Sequence, residues 1–124
     1  MNITLWIIAG FLAAAFLAAG AMKLARPKAK LGESGMAWTE DFTDGQVKAI
    51  GVVEVLGALG LVLPAALDIA PILTPIAAAG LAVSQLLAAV VHVRRGEKQM
   101  LPINLVLAAL AVFVAVMRFG PNSF

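Results

Sequence analysis

The stretch Gln46–Leu67, QVKAIGVVEVLGALGLVLPAAL, decides the fold. Past Lys48 it carries one charged side chain, Glu54, in an otherwise apolar run. Roughly 20 such residues are what an α-helix needs to cross the ~30 Å hydrocarbon layer of a bilayer. Only a helix pairs all its own backbone donors and acceptors within one segment of this kind. Working outward, three more runs share the pattern: 3–25, 71–93 and 102–117, the last at the short end of the range. The expectation is an all-α protein, an integral membrane four-helix transmembrane bundle forming a single domain over residues 1–124.

Composition points the same way. Hydrophobic residues make up 62% of the chain and charged residues 13%, against roughly 45–50% and about 25% in soluble domains. A chain this short is mostly surface in water, so the surplus belongs against lipid. There is no cysteine, which excludes disulfides, thiolate nucleophiles, iron–sulfur clusters and cysteine zinc sites. One histidine excludes bis-histidine haem within the chain. No metal site is expected, since no two ligand-type residues share a helix at ligand spacing. No basic run is interleaved with aromatics, so nucleic acid is not a partner. Segment 3–25 has no basic start and exceeds the apolar length of a cleaved signal, so it reads as the first span.

Asp44 is the expected N-cap of the second helix. Pro71 and Pro102 suit first turns, and Gly96 ends the third helix. Residues 26–45 form a loop with an interfacial segment over 36–44, where Trp38 and Phe42 stand among Glu40, Asp41 and Asp44. The first loop and its flanks hold Lys23, Arg26, Lys28, Lys30 and Lys48, the second basic loop Arg94, Arg95 and Lys98, and the opposite side only Arg118. Such asymmetry places basic loops in the cytoplasm. The expected location is the cell inner membrane, multi-pass, with both termini outside.

Polar side chains inside spans are costly and usually face the bundle interior. Glu54 is the clearest case, with Gly51 and Gly57 at i−3 and i+3 letting a neighbouring helix come close. The third span carries Gln85 and His92, with Ser84 at the edge of their stripe, and the fourth opens with Asn104. The first ends at Lys23. Given the topology, all lie toward the cytoplasmic side. This predicts an intrabundle polar pocket, with Glu54 as acid or base, Lys23 as its partner, and Gln85, His92, Asn104, Trp38 and Ser84 as ligand-binding residues. The structural readings stand beside this one: a buried Lys23 or Asn104 pairing for Glu54, a helix-end histidine, interhelical amide bonds, and an interface-anchoring tryptophan.

Several stretches together carry a resemblance: FLAAGAMKLARP (Phe16–Pro27), MAWTEDFTDGQVKAIGVVEVLGALGLVLPAAL (Met36–Leu67), LTPIAAAGLA (Leu73–Ala82), HVRRGE (His92–Glu97) and NLVLAALAVFVAVMRFGP (Asn104–Pro121). In this order they resemble the DoxX-like family of small membrane proteins. The resemblance implies a four-helix inner-membrane protein with a glutamate in the second helix, at Glu54, and a lysine at Lys23. It implies no single function: relatives are linked to quinone-coupled thiosulfate oxidation, to membrane oxidoreductase complexes and to assembly roles. The missing cysteines and second histidine weigh against direct electron transfer.

Three functions compete, and the sequence does not decide whether the protein is an enzyme. The first is a bundle that binds a small amphipathic or quinone-like molecule, with proton transfer as its chemistry and no evident cofactor. The second is a non-catalytic subunit or assembly factor, with a membrane oxidoreductase or a second copy as partner besides membrane lipid. The third, a proton-coupled small multidrug transporter, fits poorly: the glutamate is in the second span, tyrosine is absent, and the charge bias fixes one orientation.

Overall fold

The structure, a computed structural model, describes residues 1–26, 31, 38–39 and 42–123. Four helices follow one another: α1 (Asn2–Ala25), α2 (Asp44–Ala66), α3 (Leu73–Arg94) and α4 (Leu101–Phe119), with a 3-10 turn over Lys98–Met100 before the last. Each is long and apolar enough to cross a bilayer. No strand occurs among the described residues. The chain is therefore a multi-pass membrane protein built as a four-helix bundle. Of the interfacial segment expected over 36–44, residues 36–37 and 40–41 lie outside the described residues.

The helix ends follow from local chemistry. The cap of α2 is Thr43, one residue ahead of the expected Asp44. Its hydroxyl accepts from the Gln46 backbone N–H at 3.1 Å, and its own N–H donates to Gln46 Oε1 at 2.9 Å. This Thr-x-x-Gln capping box satisfies two otherwise orphaned donors, which Asp44 at the next position does not do. At the end of α3, Gly96 adopts φ +72°. That lets the Gly96 N–H return to Val93 O and the Glu97 N–H to His92 O, at 3.1 and 2.8 Å. The last carbonyls are thereby closed without water.

The helices pair as two hairpins, α1 with α2 and α3 with α4; α2 and α3 join them, α1 and α4 touch less, and the diagonal pairs least. The end that carries the α1–α2 and α3–α4 connections is called the basic end below, and the other the terminal end. The apolar core lies toward the terminal end, where Leu5, Leu12 and Phe16 of α1 meet Ala58, Leu61, Leu81, Ala111 and Val114 of the other helices. The outward faces carry exposed Ile7, Phe11, Leu56, Leu87, Leu105 and Val116. Lipid tails are as apolar as these side chains, so the faces are suited to lipid.

Glycine sets the helix spacing. A Cβ on Gly20 would stand 2.8 Å from the Gly51 carbonyl oxygen, and one on Gly51 3.0 Å from the Gly20 carbonyl oxygen, so α1 and α2 touch backbone to backbone. Gly57 turns elsewhere: a Cβ there would meet Leu81 of α3 at 2.6 Å. Gly51 and Gly57 thus do not share a face, as their common spacing from Glu54 had suggested. Six residues at 3.6 per turn separate them by about 120°. Glu54 stands between them and is aimed at the bundle interior, where it is 4% exposed.

Candidate functional site

The first hairpin holds a charged pair. Lys23 lies in the last turn of α1, and the Gly20–Gly51 contact brings its Cβ against α2. Its side chain runs inward rather than out to the headgroups, and Nζ stops 2.6 Å from Glu54 Oε1. The two side chains are 6% and 5% exposed. The contact is an ion pair between two buried groups. The Trp38 ring lies over the same ammonium, 5.6 Å from Nζ to centroid. Phe42 braces that ring edge-on, at 5.6 Å and 81°. A cation over an indole face gains about 0.5–1 kcal/mol when exposed and ~2 when desolvated, so Trp38 offsets part of the cost of burying Lys23.

The second hairpin holds a neutral pair. Asn104 Nδ2 of α4 donates to Gln85 Oε1 of α3 at 2.8 Å, buried. Asn104 Oδ1 is also buried and has no hydrogen-bond partner among the described residues. Leaving such an acceptor unmet costs about 1–3 kcal/mol. Among the described residues, Thr74 Oγ1 is likewise buried without a hydrogen-bond partner.

The other sequence candidates go elsewhere. Buried His92 sets Nδ1 3.0 Å from Glu97 Oε1, which also accepts from Arg95 Nε at 3.2 Å. His92 is thus tied into the end of its own helix. Ser84 is half-buried at the edge of the Gln85 face. The expected set therefore divides into three: Lys23, Glu54 and Trp38; Gln85 and Asn104, with Ser84 beside Gln85; and His92, which pairs with Glu97 from outside the set. Among the concavities formed by the described residues are two of about 320 and 160 Å³. The larger lies between α1 and α2 and is lined by Gly10, Ala14, Ala58 and Leu63, among others. The smaller lies at the terminal end, beside Pro71 and Arg118. Neither includes Glu54 or Asn104. Among the described residues, no group of three histidines and carboxylates is placed to hold a metal.

Two further polar residues do more than orient the chain. Lys48, counted only as an orienting charge, sends Nζ to three backbone carbonyls at the end of α1. Arg118, which ends the small, polar face of α4, is 4% exposed and donates Nη1 to Asn122 O at 3.0 Å. The signal for Lys48 was present: a lysine in the early turns of α2, facing a helix end without a glycine cap. Spacing carried a signal for Arg118 too: with Asn104, Ala108, Ala111 and Ala115 it falls in steps of four and three on one face of α4, and all five are buried.

The sequence pattern that defines the DoxX-like family matches residues 7–114, which takes in part of every helix and all the residues named for the site. No curated protein and no solved structure matches the chain.

Proposed function

The chain belongs to the DoxX-like family, and from that premise we propose that its bundle binds a small amphipathic, quinone-like molecule whose polar head meets the Lys23–Glu54 pair. The observation that carries this reading is the pair itself: an ammonium and a carboxylate 2.6 Å apart, almost wholly buried within the spans. A buried ion pair adds little stability over well-packed apolar residues of the same volume. Ionisable residues within spans mark functional sites by default. Lys23 can donate to a carbonyl oxygen of the head group, and Glu54 can accept a proton from a hydroxyl. The unmet Asn104 Oδ1 supplies a further acceptor, and Trp38 an aromatic wall. The chemistry of this reading is proton transfer, with Glu54 as acid or base and Lys23 stabilising its charged form. Eight of the nine lysines and arginines lie at the basic end or in its loops. We place that end in the cytoplasm and both termini outside the cell inner membrane.

A second reading has its own support. Each polar pair closes within one hairpin, as expected of a non-catalytic subunit or assembly factor whose working part is its lipid-facing surface. Trp38 offers a direct test, because Trp6→Phe leaves it the one tryptophan of the chain. In lipid nanodiscs, a short-tailed ubiquinone analogue should quench Trp38 emission saturably, and Glu54→Gln should abolish the saturation. Quenching that rises linearly with quinone and ignores Glu54→Gln overturns the binding reading and leaves the second.

A further inference from the structure

Helix α1 ends awkwardly. Its C-cap, Arg26, is extended at φ −110°, ψ 145°, and returns a single N–H to Met22 O. Arg26 is not a glycine and does not turn left-handed to fold further donors back onto the last turn. The final carbonyls of a helix have no partner within it, and leaving them bare near hydrocarbon is costly.

Lys48 answers this from the neighbouring helix. Its Nζ donates to Lys23 O at 2.6 Å, Leu24 O at 3.2 Å and Arg26 O at 2.7 Å. An ammonium has three N–H donors, and all three are used. The positive charge also sits at the negative end of the α1 dipole. The consequence is specific to one residue. The backbone of Lys23 is held by Lys48, while its side chain reaches Glu54. Lys23 is thus fastened to α2 at both ends, at positions six residues apart on that helix. Turning or sliding α1 would pull Nζ away from the carboxylate.

We propose that Lys48 is a positioning residue for the buried pair: its three-carbonyl clasp sets the depth and rotation at which Lys23 meets Glu54 beneath Trp38. As a statement about function this rests on the binding reading above, but its test uses protein without quinone and stands apart from that reading. A guanidinium spreads its donors in a planar fork and cannot converge on three carbonyls around one point. Lys48→Arg therefore keeps the charge and loses the clasp.

The experiment is a double-mutant cycle on Trp38 emission in the Trp6→Phe background, in nanodiscs. Lys23→Met removes the cation from the indole face and gives the reference shift. Lys48→Met is expected to reproduce most of that shift, Lys48→Arg part of it, and Lys48→Met should add nothing once Lys23→Met is present. Non-additivity of this kind identifies residues that act through one another. If Lys48→Met lowers the melting temperature but leaves Trp38 emission at its starting value, Lys48 is only a helix cap and the proposal falls. It falls equally if the shift persists in the Lys23→Met background, because Lys48 would then act on Trp38 directly. Should Lys48→Met fail to fold, Lys48→Gln, with two N–H donors, is the variant to read, and an intermediate shift is required of it.

Discussion

The two hairpins solve the same problem with different chemistry. Each must hold two helices together at the basic end, where few large apolar side chains are buried. In α1–α2 the means are backbone contact at Gly20 and Gly51, the Lys23–Glu54 pair and the Lys48 clasp. In α3–α4 they are one amide–amide bond between Gln85 and Asn104 and a glycine-closed helix end. The neutral solution leaves Asn104 Oδ1 unmet but costs little to lose. The charged one is costly to bury and far more costly to break, because removing one partner strands the other. Tolerance to substitution should therefore differ sharply between the hairpins.

The largest effect is expected from Lys23→Met, which leaves Glu54 buried without its countercharge. It should destabilise the protein by about 3–5 kcal/mol, read as a shift in the SDS-unfolding midpoint. The double variant Lys23→Met/Glu54→Leu should recover most of that loss. A single variant as stable as the parent would erase the contrast between the hairpins. Next comes Gly20→Ala, whose new methyl must push against the Gly51 carbonyl oxygen and Val55. Overpacking of this kind costs about 1–3 kcal/mol. Gly10→Ala is the control, because a Cβ there meets nothing within 4 Å, and its midpoint should match the parent's or rise slightly. The smallest effect is expected from Asn104→Leu in the second hairpin: about 0.6 kcal/mol, the average for a hydrogen bond between membrane helices, and at most ~1.7. A loss approaching that of Lys23→Met would mean that the amide pair carries more than packing.

The fold was legible because hydropathy reports what a bilayer requires, and the four apolar runs became four helices. The α2 cap was misread by one residue because Thr43 and Asp44 are both good caps, and only the glutamine three residues after Thr43 separates them. The site was legible in part. Glu54 and Lys23 stand out because charge within a span is rare, and Lys23 was among the partners weighed for Glu54. Gln85 and Asn104 stand out for the same reason, as polar groups among apolar ones. The sides of a helix were not legible: Gly51 and Gly57 look equivalent from Glu54, yet they face different neighbours. His92 was read both as a ligand-binding residue and as a helix-end histidine, and Glu97, five residues on, holds it at the helix end. The clasp at Lys48 depends on how one helix terminates beside another, which periodicity within a single helix does not encode.

Because Lys23 and Glu54 belong to consecutive spans, each charge finds its opposite before α3 and α4 are needed. The first half of the chain can therefore partition into the bilayer as a neutralised pair of segments during synthesis. Inserted alone, the second span would leave Glu54 in hydrocarbon without its countercharge, and the hairpin avoids that.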